Sequence, residues 1–235
     1  MSNMLKNVLK VFAFLLVVYL VINLLSKPSK LSPMSKGNVA KSISSQKLKN
    51  SGNTTDYTYS LWFYVDDWNY KFGQDKILWR RTDDSDQPSP SVTLGGMEND
   101  ITIHMGCYPT KDTTSQPNVH TCKINNFPIQ KWVNLVISLQ GEILDVYVDG
   151  KLHKTCVLDG VPKSSSGSDV HLTPNGGFSG FTSNFQYWDK GSNPQEAYNI
   201  YRNGYGGGIL GNAFNKYKLR VQFLNDNNVA GGFEI

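Results

Sequence analysis

The sequence predicts an antiparallel all-β sandwich or jelly roll with one short helix, preceded by an N-terminal transmembrane helix. Three features predict it. Beyond residue 56, runs of apolar residues alternate with a period of two, the mark of strands. Clusters of Gly, Asn and Asp separate these runs at short intervals, as sandwich turns require. A single long apolar run, residues 11–25, stands apart from both.

The 235 residues carry 23 Lys plus Arg and 19 Asp plus Glu, a net charge of +4. The charge is unevenly spread. Eight Lys and no acid fall in residues 1–50, which leaves 15 basic and 19 acidic residues beyond, so the two parts carry +8 and −4. A folded part with no positive excess is poorly suited to a phosphate backbone, and a nucleic-acid partner is disfavoured on that ground.

The N-terminal run comprises Val11, Phe12, Phe14, Leu15, Leu16, Val17, Val18, Tyr19, Leu20, Val21, Ile22, Leu24 and Leu25, with Ala13 and Asn23 between them. It extends back to Val8 if Lys10 reaches the interface along its apolar stem, giving a span of about 8–25. At 15 to 18 residues it is slightly short of the roughly 20 that a bilayer core requires. An uncleaved anchor over residues 1–25 is the expectation. A cleaved signal peptide is the rival, but INLLSKPSKL lacks a small-x-small cleavage site. A helix buried in a core fits the polar flanks least.

Lysines on both sides of the run leave orientation weakly biased, with the C-terminal domain on the cytosolic face. Three Cys without framework spacing lean the same way. Two states fit them: a Cys107–Cys122 bridge across a hairpin, or free buried thiols. Asn53-Thr54-Thr55 is a glycosylation sequon that matters only on a lumenal face.

Residues 26–56 are rich in Ser, Lys, Pro, Gly and Asn and show no apolar period, which reads as a linker or extended arm. Lys27, Lys30, Lys36, Lys41, Lys47 and Lys49 would sit against anionic headgroups of a lipid bilayer, at about 1 kcal/mol each near the surface, or against an acidic protein. A solvated tether without a partner is the alternative.

From residue 57 the strands follow in order. Tyr57, Tyr59, Leu61, Phe63 and Val65 share one face, with Thr58, Ser60, Trp62 and Tyr64 opposite, so both faces are expected to be partly buried. Shorter candidates lie at residues 76–80, 91–94 and 101–105. WVNLVISLQ places Val133, Leu135, Ile137 and Leu139 on one face, and Gln140-Gly141-Glu142 joins it to ILDVYVDGKLHKTCVL. This second run folds back at Asp149-Gly150, a two-residue hairpin signal. In SNPQEAYNIYRNG, Asn193 caps a helix, Pro194 opens it, Glu196 completes a capping box and Gly204 stops it. Ala197, Ile200 and Tyr201 would face the sheet. GYGGG then reads as a flexible joint, and residues 206–235 as that joint followed by a C-terminal hairpin with Leu219, Val221 and Phe223 on one face.

The blocks YTYSLWFYVDDW, IQKWVNLVISLQGEILDVYVDGKL and GGFSGFTSNFQYWDKGSNPQEAYNIYRNG occur in the order that resembles the concanavalin A-like, laminin-G-like jelly-roll domain. The most specific is the middle one, a Trp opening a strand, a turn, then a Tyr-x-Asp-Gly hairpin. The resemblance covers about residues 55–205 and implies a jelly roll over residues 57–205. The anchored arrangement, with its Gly-rich joint and C-terminal strand pair, is similar to small proteins of large double-stranded DNA viruses, some of them minor components beneath the capsid shell.

Some members of the fold family are endo-glucanases, which display Glu-x-Asp-x-x-Glu on one strand. Here Glu98-Asn99-Asp100 is followed by Ile103 where the third carboxylate would stand, so no enzyme of that type is expected. His104, His120, His153 and His171 lack metal spacing. Because related lectin-like domains bind calcium through loop carboxylates, Asp83, Asp84 and Asp86 are candidate ligands, with a solvated acidic turn paired to Arg80 and Arg81 as the plainer account. No other cofactor is implied. Trp68, Tyr70, Tyr108 and Trp188 are candidates for stacking on a carbohydrate, against which stands the appetite of a sandwich core for aromatic residues.

Together these features lead to the expectation of a non-enzymatic, single-pass membrane protein whose jelly roll packs on other proteins. In the viral version it is a minor capsid protein of the virion, linking an inner membrane to the shell; otherwise it lies at the cytosolic face of a host membrane. A membrane-displayed lectin is the alternative.

Overall fold

The computed structural model describes Lys10 and residues 12–19, 30–48, 56–83, 85–109, 118–163, 167–206, 220–225 and 228–234. The chain divides into two compact units, Met1–Lys30 and Leu31–Ile235. In the first, residues 12–19 are helical and most of their side chains are exposed. Among the described residues no helix is long and apolar enough to cross a membrane. Val11, Leu20, Val21, Ile22, Leu24 and Leu25 of the expected span lie outside the described residues, as do Lys27, Lys49 and the Asn53 sequon.

Alternation builds the second unit. In β4 (Tyr57–Asp67), Tyr59, Leu61 and Phe63 are fully buried on one face. The strand pairs antiparallel with β9 (Trp132–Gln140), with Tyr57 opposite Leu139 and Tyr64 opposite Trp132, so the two alternations are in phase. Gly141 turns β9 into β10 (Ile143–Val148), and Asp149 (φ 50°) with Gly150 (φ 75°) turns β10 into β11 (Lys151–Val157). Two successive positive φ values are what a type I′ turn demands and what Asp-Gly supplies at least cost.

These strands form one sheet in the order β1-β13-β4-β9-β10-β11, where β1 is Lys30–Ser32 and β13 is Ser179–Trp188; β2 (Ser35–Lys36) also pairs with β13. The facing sheet runs β3-β12-β5-β6-β7-β8. Its strands are β3 (Lys41–Ile43), β12 (Val170–Leu172), β5 (Lys76–Thr82), β6 (Pro88–Leu94), β7 (Ile101–Cys107) and β8 (Asn118–Ile124). Between the sheets Trp79 packs on Phe185 at 5.7 Å and Tyr59 on Phe185 at 5.8 Å, with Leu78, Val92, Leu94, Ile101 and Ile103 filling the rest. A sandwich of two antiparallel sheets with one short helix is therefore the fold of the second unit.

The helix Pro194–Arg202 has the predicted capping box: Glu196 N–H donates to Asn193 Oδ1 at 2.9 Å and Asn193 N–H to Glu196 Oε2 at 3.1 Å. It lies on the outer face of β9 and β10, where Ala197 and Ile200 bury against Val136 and Tyr147, and its Tyr201 stacks on Trp62 of β4 at 5.5 Å. Thr58 and Ser60, buried on the strand face opposite the core, are satisfied by hydrogen bonds: Thr58 Oγ1 donates to Lys190 O, and Ser60 Oγ accepts from Asn134 Nδ2. β14 (Arg220–Asn225) and β15 (Asn228–Glu234) form the C-terminal antiparallel pair.

Three expectations need correction. Residues 30–48, read as linker, instead supply β1, β2, β3 and a 3-10 turn at Ser45–Lys47, and Ile43 and Leu48 enter the core. Asp169 stitches the segment down, its carboxylate accepting from Ser45 N–H and Ser42 Oγ. Strands of two or three residues are too short to show a period. Lys36, Lys41 and Lys47 are therefore fixed on the sandwich and not on a free arm. The cysteine pairing also differs. Cys122 bonds Cys156, and Cys107 is free and buried. Cys107 stands opposite Asn118, four residues along β8 from Cys122, so the hairpin register keeps the two apart. Finally, the first part of the Gly-rich joint is fixed. Ser183 Oγ donates to Tyr205 O, Asn184 Nδ2 to Gly204 O, and the Tyr205 ring stacks on Trp132.

Candidate functional site

Three loops meet at one end of the sandwich. After β4, Asp67 Oδ1 accepts from Asn69 N–H and turns the chain so that Trp68 Nε1 donates to Met97 O at 3.2 Å in the β6–β7 turn. Gly73 N–H donates to Gly96 O, and a Cβ on Gly96 would lie 2.8 Å from Gly73 C, so the two loops touch backbone to backbone. The third loop, between β8 and β9, joins through Phe127 N–H to Asn99 O and Asn99 Nδ2 to Phe127 O.

Between them lies a groove of about 690 Å³, within the size range of small-ligand pockets. Trp68, Met97 and Ile129 give it apolar wall, while Asn99, Asn125 and Asn126 bring side-chain amides and Glu98 and Asp100 carboxylates. Lys123 Nζ holds Asp100 at 2.5 Å and Glu98 at 3.7 Å. Its hydrogen bond to Asp100 raises the Lys123 pKa, so this ammonium stays charged. Behind Trp68 sits Lys76, only 1% exposed, with Nζ 4.5 Å from the ring centroid. Burial lowers its pKa, against the opposing pull of Asp75. The cation and Phe127, 5.8 Å from the Trp68 ring, hold the indole in place.

Of the four aromatic candidates, Trp68 alone lines this groove. Tyr70 donates its hydroxyl to Gly176 O, and the neighbouring Lys71 amine meets Asn175 O. Tyr108, 56% exposed, follows β7 (Ile101–Cys107) and lies beneath the Lys163 ammonium. Trp188 packs against the cluster under the helix. The groove's amides were not among the expected site residues; Asn99 lies within the Glu98-Asn99-Asp100 string weighed only against the glucanase pattern, and Asn125-Asn126 ahead of Phe-Pro is a loop signature without chemistry.

The acidic loop is committed elsewhere. Asp83 Oδ1 accepts from Ser85 and Gln87 N–H, and Oδ2 faces Lys163 at 3.4 Å. Partial desolvation would raise the Asp83 pKa, but the two amides and Lys163 outweigh it and lower it. Asp86 pairs with Arg80 at 3.0 Å, and Asp84 lies outside the described residues. Arg81 does not serve the loop: it is buried, donating to Ser168 O and Tyr59 Oη. No cluster of three metal-ligating side chains occurs among the described residues. The histidines are scattered over β7, β8, β11 and β12, and His120 pairs with Asp159. Ile103, in the position of the third glucanase carboxylate, points into the core.

Comparison with solved structures returns the same fold at low identity. An HCR/D point mutant superposes with a TM-score of 0.53 at 8% identity, covering 73% of this chain and 42% of its own. A second HCR/D mutant gives 0.53 at 9%, covering 74% and 43%. The binding domain of botulinum neurotoxin serotype G gives 0.49 at 14%, covering 72% and 45%. The chain thus spans less than half the length of each of these structures. No curated relative matches it. A family model described as the concanavalin A-like lectin/glucanases superfamily, laminin G type, matches residues 37–197, beginning within the segment that forms β1 to β3. The chain belongs to this family.

Proposed function

We propose that the protein is a non-enzymatic recognition module, tethered to a membrane by residues 8–25, that binds carbohydrate in the groove at Trp68. One observation carries the reading: an indole packed against Lys76 and Phe127 lines the same groove as the side chains of Asn99, Asn125, Asn126, Glu98 and Asp100. Sugar rings pair an apolar C–H face with a rim of hydroxyls, which suits a site with one aromatic surface and several hydrogen-bonding groups. The family name covers lectins and glucanases, and Glu98 and Asp100 are both engaged by Lys123. Binding of the whole protein to a glycan array, lost in Trp68→Ala and weakened in Asn125→Ala with the melting temperature of Asn125→Ala unchanged, supports the reading. Full binding by both variants would reject it.

A second reading, a minor capsid protein between an inner membrane and a viral shell, is favoured by the apolar side chains on the edge strand β11. Leu152 is 49% and Val157 65% exposed, a surface suited to a protein neighbour. Purified particles that lack the protein would end this reading. Orientation separates the two. The Cys122–Cys156 bridge favours an oxidising surrounding and weakens the cysteine argument for the cytosolic face. Lys36, Lys41 and Lys47 remain available to anionic headgroups from the domain surface. Protease protection of residues 57–235 on intact membranes decides the side.

A further inference from the structure

We infer that the Trp68 groove is one half of a longer cleft, and that its ligand is an oligosaccharide carrying an anionic group at the end remote from Trp68. The inference rests on the carbohydrate reading above. A second cavity, of about 700 Å³, opens between the capped helix and the β10–β11 hairpin, and Asn126 lines both cavities. Asn126 holds a left-handed backbone (φ 58°), a conformation that Asn tolerates, and is the lining residue that the two cavities share.

The halves differ in chemistry. The Trp68 half brings the carboxylates of Glu98 and Asp100. The second half is walled by Phe127, Pro128 and Leu152 and by Tyr198 and Tyr201, with Lys151 and His153 as its basic groups. Asp149 also borders it, but its carboxylate is taken by Lys131 at 3.3 Å and by Asn134 N–H at 2.9 Å. Among the described residues Lys151 and His153 have no ion pair.

The tyrosines are held there by the turn: a Cβ on Gly150 would lie 2.9 Å from Tyr201 Cβ and 3.2 Å from Tyr198 Cα, so only glycine lets the helix close on the hairpin. Tyr198 remains 44% exposed. A short glycan is accommodated within one half. A chain that crosses Asn126 stacks at both ends, and a carboxylate on it is attracted by Lys151, which has no ion pair among the described residues, whereas Lys123 beside the Trp68 half is already shared by Glu98 and Asp100; this difference fixes its direction.

The test uses the full chain on an array of glycans of one or two sugars and of four or more, neutral or ending in a uronic acid. Long uronate-ended glycans are expected to bind best. Tyr198→Ala should weaken long glycans roughly three- to tenfold, the value of one aromatic stacking contact, and spare short ones. Lys151→Glu should remove the preference for uronate. If Trp68→Ala abolishes binding while Tyr198→Ala and Lys151→Glu leave every glycan unchanged, the extended cleft is overturned and the Trp68 groove stands. If Trp68→Ala binds normally, or no glycan binds the parent protein, the carbohydrate reading fails and the inference with it.

Discussion

Cys122 and Cys156 join the last strand of one sheet to the last strand of the other. Each sheet of the sandwich ends in an open edge, β8 in one and β11 in the other, and the bridge closes the two edges together. Lys154 reinforces the seam by donating from Nζ to Lys123 O at 3.0 Å. The bridged residues are 34 apart in sequence, a loop whose closure entropy corresponds to about 4 kcal/mol in the chain-entropy model. Replacing both cysteines by Ala should lower the unfolding free energy by about 2–4 kcal/mol in urea. An unchanged midpoint would mean that the edges hold without the bridge.

Tyr205 and Trp132 stack at 4.4 Å with 10° between their planes, and Trp62 meets Tyr205 edge-on at 5.8 Å. This pair fixes the chain as it leaves the helix. A double-mutant cycle of Tyr205→Ala and Trp132→Ala is expected to give a coupling of about 0.5–1.5 kcal/mol. Additive single variants would show that the stack holds nothing in place.

Burial pushes the Tyr59 phenol up to about 12, against the opposing pull of Arg81, and burial followed by Asp145 does the same for Tyr147. An unfolded tyrosine ionises near 10. Between these values the unfolded chain releases protons that the folded one keeps, so stability is full below about pH 10 and falls as the pH rises towards 12. The slope is about 1.4 kcal/mol per pH unit for each such tyrosine. Tyr59→Phe should flatten the alkaline loss measured by urea unfolding at stepped pH. A loss equally steep in the variant would assign it to other groups.

The strands legible in the sequence were those with an apolar period or a turn signal: β4 and β9 alternate along their length, Asp149-Gly150 marks the β10–β11 hairpin, and the candidates at residues 76–80, 91–94 and 101–105 fall within β5, β6 and β7. β1, β2, β3 and β12 span two or three residues each and leave no pattern, though Ile43, Val170 and Leu172 are buried. β8 is longer, yet it sends only Cys122 and Ile124 inward, too few to mark a face. The capped helix was legible down to Asn193 and Glu196 because capping is local chemistry. The groove was not. Trp68, Asp100 and Asn126 lie roughly 30 residues apart and meet only because β4 pairs with β9 in one sheet while β6, β7 and β8 follow one another in the other.

Gly96 offers a direct test of that meeting. Its absent side chain leaves room for the backbone of Gly73 and Gln74, at 2.8 and 2.9 Å from where a Cβ would stand. Backbone on both sides cannot swing away as a flexible side chain would, so Gly96→Ala should force the two loops apart, break the Gly73 N–H to Gly96 O bond and carry Met97 O away from Trp68 Nε1. Gly141→Ala is the control. Its φ of 56° makes alanine strained, but nothing lies within 4 Å, so the cost is conformational, about 1 kcal/mol. Both variants should lose stability, but only Gly96→Ala should shift the Trp68 fluorescence and weaken ligand binding at the groove. Equal effects of the two on Trp68 would show that its position does not depend on the contact between the loops.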